Sequence, residues 1–86
     1  MIKPEKLANA LYALQGVLVR ARAMAYEGVA ATELADLLDD AEMLPRFIAN
    51  QTDETDTFRE YLEEIAKKHR CCFVVQRFDE PVPPKW

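Results

Sequence analysis

The fold is decided by the apolar stretch at residues 7–28, LANALYALQGVLVRARAMAYEG. Its larger side chains recur in alternating steps of four and three, which keeps them on one face of an α-helix. This leucine-rich stripe consists of Leu7, Leu11, Leu14, Leu18, Ala21, Ala25 and Gly28, with Ala10, Val17 and Met24 along one flank. The pattern predicts a helix over residues 4–28 that buries this stripe in the core. Pro4 suits its first turn, and Gly28 suits its end.

A second apolar strip on the same helix carries Tyr12, Val19 and Tyr26, which are spaced by seven residues. One neighbouring helix cannot cover both strips, so a strip left exposed would be available to a partner. Tyr12, Val19 and Tyr26 are therefore the first candidates for an interface. The alternative is that two later segments of the same chain cover the helix.

The second predicted helix spans residues 33–50, with Thr32 as its N-cap. Pro45 falls inside the apolar pattern, where a proline removes a hydrogen bond and clashes with the preceding turn. The apolar pattern nevertheless continues past it without a shift in phase. We therefore expect one helix that is kinked near Pro45.

Two large side chains of this continuous helix, Met43 and Phe47, would lie away from the core. They are further interface candidates. If Pro45 instead starts a new helix, Phe47 can turn inward, and the interface argument loses its main aromatic residue.

The third predicted helix spans residues 54–69, after a polar loop that offers Thr52 or Asp53 as a cap. Its apolar positions repeat at helical spacing and end at His69, and its other side is charged. This is the clearest amphipathic pattern in the chain, so we expect the helix to pack on one side only.

Residues 71–78 contain the apolar, partly β-branched run CCFVV. We expect an extended segment here, although the spacing also fits a short helix. An exposed strand edge would favour pairing with a second copy, which adds Phe73 and Val75 to the interface candidates. Residues 81–86 contain three prolines and predict an extended tail, either free or held against the bundle by Trp86.

The fold class that follows is all-α. We expect a small three-helix bundle as a single domain over residues 1–80, followed by a Pro-rich tail over 81–86. No charged start, apolar run and small-residue cleavage site occur together at the N-terminus, and no stretch is long enough to span a bilayer. Cys71 and Cys72 are adjacent and provide no disulfide framework. These features predict a cytoplasmic protein without a membrane partner.

The net charge of −4 is unevenly distributed. Residues 1–32 carry +2, residues 33–64 carry −9 and residues 65–86 carry +3. The acidic middle argues against nucleic acid as a partner, because phosphate binding needs a basic surface.

Several acidic pairs lie three or four residues apart, the spacing that metal-dependent hydrolases use on helices. The carboxylates considered for such a site are Asp36, Asp39, Asp40, Glu60 and Glu63. They fall outside the apolar stripes, so solvated helix faces are the simpler interpretation. His69 is the single histidine, and the chain has only two glycines and therefore no phosphate loop. We expect no catalytic residues, no metal and no cofactor.

The sequence therefore favours a non-catalytic cytoplasmic protein-interaction domain that self-associates, most simply as a homodimer, or binds another protein. One alternative is an acidic inhibitor that mimics nucleic acid, suggested by the −9 segment. The other alternative is a weak metal-dependent hydrolase that uses the helix carboxylates.

Overall fold

Five α-helices make up the part of the chain that the computed structural model describes, residues 4–50 and 55–84, with side chains over 6–48 and 55–84. In chain order the helices are α1 (Pro4–Glu27), α2 (Ala31–Ala41), α3 (Met43–Asn50), α4 (Thr55–His69) and α5 (Phe73–Asp79). No strand occurs within these residues. The all-α prediction is confirmed. The prediction of three helices is wrong, because the middle segment is divided and the C-terminal segment is helical.

The long first helix ends as the sequence predicts. Gly28 has φ +75°, in the left-handed region that glycine adopts without a steric penalty. The Gly28 N–H donates to the carbonyl of Ala25, and the Val29 N–H donates to that of Met24, both at 3.2 Å. These two bonds form a Schellman motif, which satisfies carbonyls at the helix end. A helix of 24 residues is ~36 Å long at ~1.5 Å per residue. The length of α1 is therefore close to the longest extent of the molecule, 37 Å.

The stripe predicted for the core is buried along one flank only. Leu7, Leu11 and Leu18 of the predicted stripe are exposed. The buried apolar residues of α1 are Ala10, Val17 and Met24 of the predicted flank, together with Ala13. Most of these are small, so another helix can approach the α1 backbone closely.

That neighbour is α5, which packs along the N-terminal half of α1. Gly16 lies at the closest approach, since a Cβ atom there would come within 3.0 Å of Arg77 Cδ and 3.2 Å of Phe73 Cε2. The Asn9 amide and the Lys6 ammonium both donate to the carbonyl of Phe78, at 3.1 and 3.0 Å. These bonds satisfy carbonyls at the C-terminus of α5, where no helical partner is available.

The middle segment is two helices rather than one kinked helix. Glu42 lies in a turn between α2 and α3, and its N–H donates to the carbonyls of Leu38 and Asp39. Pro45 is the third residue of α3. Its missing N–H costs nothing in a first turn, where amide groups have no helical partner, so the break lies ahead of the proline.

The predicted cap of α2 is also wrong. The helix begins at Ala31, and its N-cap residue is Ala30, which provides no side-chain cap. Thr32 is therefore already inside the first turn. The Glu33 and Leu34 N–H groups donate instead to the Ala30 carbonyl, at 3.0 and 3.3 Å.

A cluster of aromatic rings joins three helices at the centre of the core. Phe58 of α4 is fully buried, and its ring centroid lies 5.2 Å from that of Phe78 in α5. Phe47 of α3 contacts Phe58 edge-on at 6.3 Å and Tyr61 at 5.4 Å. A new helix therefore begins near Pro45, at Met43, and Phe47 turns inward, as in the alternative that the sequence left open.

The C-terminal segment is helical rather than extended. Arg70 ends α4 with φ 56°, and the Cys71 N–H donates to the Ala66 carbonyl at 3.0 Å. The chain then turns into α5, which buries Val74 and Phe78. Helical spacing places these two residues on one face toward α1 and α4, which an isolated strand could not do without leaving its edge unpaired.

Residues 80–84 follow α5 without helix or strand. The predicted caps Thr52 and Asp53 and the predicted contact of Trp86 lie outside the described residues.

A surface ion pair between Arg59 and Asp79 joins α4 to the end of α5. Arg59 Nε donates to Asp79 Oδ1 at 2.8 Å, and Arg59 Nη2 donates to Asp79 Oδ2 at 2.7 Å. This two-bond geometry is the strong form of an arginine–carboxylate pair. The bonds from Arg59 hold the pKa of Asp79 below its usual value and raise the pKa of Arg59.

The ion pair predicts an acid-dependent loss of stability. Because the folded-state pKa of Asp79 is below its ordinary value of 3.8, the stabilisation is present at neutral pH and is lost as pH falls through the folded-state pKa. The effect should be small, since both side chains are about two-fifths exposed. Urea unfolding of Asp79→Asn should show lower stability than the unmodified chain at pH 7 and a smaller difference near pH 3. Asp39→Asn, at an exposed position of α2, is the control. A difference that stays constant between the two pH values would contradict the pairing.

Candidate functional site

Three exposed leucines of α1 lie along one face of the helix, apart from the exposed Tyr26. Leu7, Leu11 and Leu18 expose 41%, 44% and 55% of their surfaces. Leu14, one turn from both Leu11 and Leu18, is partly buried against the core. We call Leu7, Leu11, Leu14 and Leu18 the leucine face. Its spacing of four, three and four is that of the a and d positions of a coiled coil, which pack against a second helix.

The tyrosine strip that the sequence suggested as an interface is divided. Tyr26 is 85% exposed, and Val19 is partly exposed. Tyr12 instead contacts α5: the Arg77 guanidinium lies 4.2 Å from the centroid of its ring, and Arg77 also donates to the Tyr12 carbonyl. Part of the Tyr12 ring is therefore engaged within the chain.

The other candidate interface residues are partly buried. Phe47, Phe73 and Val75 pack against the hydrophobic core, and Met43 lies near the start of α3 with intermediate exposure. Phe47 is held by the aromatic contacts described above. Of these residues, Phe73 lies near the tyrosine strip, because Arg77 contacts both the Tyr12 ring and the Phe73 ring and the two aromatic residues line one groove.

Sequence reasoning missed the leucine face because it placed large leucines in the core. A signal for the correct choice is present: Ala13 extends the flank of Ala10 and Val17, so this flank also has the helical spacing of three and four residues. Two adjacent faces of α1 therefore carry helical apolar periodicity. Which of them is covered depends on the position of α5, and the sequence of this segment favours an extended conformation.

A polar cluster lies where the end of α4 meets α2. Asp40 Oδ2 is 2.7 Å from His69 Nε2, and Lys68 Nζ is 3.2 Å from Asp36 and 3.1 Å from Asp40. Asp36 and Asp40 are one turn apart on α2, so their carboxylates reach the same side. The His69 side chain is buried, whereas those of Asp36 and Lys68 are about half exposed.

The charges in this cluster compensate one another. Burial raises the pKa of Asp40, but hydrogen bonds from His69 and Lys68 outweigh it and hold the pKa below the usual value. Lys68, bonded to both aspartates, has a raised pKa. At neutral pH, ion pairs between Lys68 and the two aspartates therefore join α4 to α2.

The five carboxylates considered for a hydrolytic site are divided between two surfaces. Asp36 and Asp40 belong to the polar cluster, and Asp39 lies on the exposed side of α2. Glu60 and Glu63 line a groove between α4 and α5, where Glu63 is also paired with Arg59. Within the described part of the chain, the group of three potential ligands that converges is Asp36, Asp40 and His69.

The two cysteines differ in environment. Cys71 is buried, and burial raises the pKa of its thiol. A thiol with a raised pKa is a poor nucleophile at neutral pH. Cys72 is exposed and lines the groove between α4 and α5.

None of the helices that the structure describes is long and apolar enough to cross a membrane. Comparison with known proteins assigns no relative to the chain: no family model matches it, and no curated protein or solved structure matches it either.

Proposed function

We propose that this chain is a non-catalytic cytoplasmic protein-interaction domain that forms a homodimer through the leucine face of α1. The observation that carries the proposal is the exposure of Leu7, Leu11 and Leu18 on one side of the longest helix. Leaving about half of three leucine side chains uncovered is unfavourable, at roughly 25 cal/mol per Å² of apolar surface. A partner that covers them would recover this free energy.

A second copy of the chain suits this face because the spacing of the face is self-complementary. In a two-fold dimer, each residue of one copy meets the same surface patch of the other. Leucines spaced by four and three fit between those of a second helix that carries the same spacing. Leu14, which is already partly buried, would form the base of such a contact.

The test is the molar mass of folded variants in solution, measured by size-exclusion chromatography with light scattering. We expect the unmodified chain to have twice the mass of 9.9 kDa and the Leu11→Gln/Leu18→Gln variant to have 9.9 kDa. Both leucines lie outside the buried core, so the variant should retain its helical circular dichroism signal.

Tyr26→Ser is the matched control, because Tyr26 is the most exposed large apolar residue and lies on the same helix. We expect this variant to remain dimeric. A monomeric Tyr26→Ser together with a dimeric leucine variant would move the interface to the tyrosine strip and contradict the proposal.

A further inference from the structure

The polar cluster between α2 and α4 has the donor set of a metal site. It combines two carboxylates and one imidazole, and their ligand atoms all lie within 4.8 Å of one another. Asp36 and Asp40 come from successive turns of α2, and His69 is the last residue of α4. Ligands drawn from two helices can surround an ion in a way that a row of acids on one helix cannot.

Burial restricts the imidazole before any ion arrives. The His69 side chain is only 6% exposed. A hydrogen bond from Arg20 Nε to the His69 carbonyl, at 3.1 Å, fixes the backbone that carries it. The ring nitrogen Nε2 points toward Asp40. A ligand whose orientation is fixed by its surroundings loses little freedom on binding, which favours affinity.

Two of the ligands already converge on a cation. The ammonium of Lys68 lies 3.2 Å from Asp36 Oδ2 and 3.1 Å from Asp40 Oδ2. This ammonium shows that the two carboxylates can share one positive charge. The Lys68 side chain is 53% exposed and flexible, so it can move into solvent when another cation enters. A cavity of about 540 Å³, lined in part by Asp36, Lys68 and His69, gives access to the cluster.

We propose that Asp36, Asp40 and His69 bind a divalent transition-metal ion of the Zn²⁺ class, which displaces the Lys68 ammonium. Zn²⁺ accepts one imidazole nitrogen and two carboxylate oxygens at ~2.0–2.2 Å and leaves a fourth position for water. Mg²⁺ prefers an all-oxygen octahedral shell, so the imidazole selects against it. The bound ion would fasten the end of α4 to α2. This site is independent of the leucine face.

The test is calorimetric titration of Zn²⁺ into the full chain at neutral pH. We expect saturable binding of one ion per chain, and no saturable heat with Mg²⁺. Asp36→Asn removes a direct ligand of the ion. Loss of a residue that only supports a ligand already weakens metal binding by about tenfold or more, so Asp36→Asn should weaken Zn²⁺ binding at least as much. Asp39→Asn, on the same helix but outside the cluster, should bind Zn²⁺ like the unmodified chain. Asp36 is exposed, so Asp36→Asn should fold even if His69→Gln does not.

The Lys68→Gln variant distinguishes a metal-binding site from a cluster that only stabilises the fold. Removing the competing ammonium should strengthen Zn²⁺ binding several-fold, although it removes two ion pairs from the fold. Absence of saturable Zn²⁺ binding would overturn the proposal. Equal affinity in the unmodified chain and in Asp36→Asn would also overturn it and would point to another ligand such as the exposed Cys72 thiol, which Cys72→Ser would then identify.

Discussion

Replacing Phe58 by alanine is expected to remove most of the stability of the chain. Phe58 is fully buried and contacts the rings of Phe47 and Phe78, so it joins α3, α4 and α5. Truncation of a buried phenylalanine costs about 3–5 kcal/mol, through lost burial and the cavity left behind. Folded domains are stable by only about 0.05–0.15 kcal/mol per residue, so this loss is a large part of the total.

The measurement is thermal unfolding followed by circular dichroism. For a domain of this size, the expected loss corresponds to a fall in Tm on the order of 20 °C. Phe58→Leu is the control, because it keeps most of the apolar volume and should cost much less. If Phe58→Ala and Phe58→Leu unfold at the same temperature, the aromatic cluster does not join the three helices as described.

Replacing Gly16 by leucine is the second substitution with a large expected effect. A Cβ atom at Gly16 would already meet Arg77, Phe73 and Val74 at 3.0–3.2 Å, tighter than ordinary van der Waals contact. The rest of a leucine side chain has no space between α1 and α5. Overpacking of this kind costs about 1–3 kcal/mol, more than the gain of about 1 kcal/mol in helix propensity when glycine is replaced.

The expected result is a chain in which α5 separates from α1 more readily. Hydrogen exchange should show faster exchange of the α5 amides in Gly16→Leu, with α4 less affected, and urea unfolding should show lower overall stability. Ala8→Leu is the matched control, since Ala8 lies on the same helix at an exposed position. Equal protection of α5 in Gly16→Leu and Ala8→Leu would contradict the close packing of these helices.

The elements that the sequence predicts well are those specified by local chemistry. The predicted bounds of α1, residues 4–28, match the observed Pro4–Glu27 because Gly28 provides the left-handed residue that ends the helix. The helix expected over residues 54–69 is observed as Thr55–His69, with charged residues on its outer side. In both cases the signal lies within a few residues of the feature it predicts.

The errors concern features that depend on distant parts of the chain. Residues 71–78 fit a strand or a helix equally well by composition. The helix is favoured because its buried side chains, Val74 and Phe78, pack against α1 and α4. That packing also determines which of the two apolar faces of α1 is covered, so the covered face could not be predicted from the spacing within α1 alone. The prediction of one helix kinked near Pro45, where the structure has two helices separated at Glu42, is a smaller error.

The polar cluster could not be predicted for a similar reason. His69 and Asp40 are 29 residues apart, and neither residue carries a local signal for the other. The sequence does show Asp36 and Asp40 one turn apart, but it contains several acidic pairs with this spacing. The fold selects this pair by placing the end of α4 beside it.

In the proposed homodimer, a second copy of the chain covers the leucine face of α1. The most direct measurement is sedimentation of the unmodified protein over a dilution series. We expect a species of twice 9.9 kDa that dissociates on dilution. Replacing Leu11 and Leu18 by glutamine should shift this dissociation to higher concentration. A single species of 9.9 kDa at every concentration would contradict the proposed homodimer.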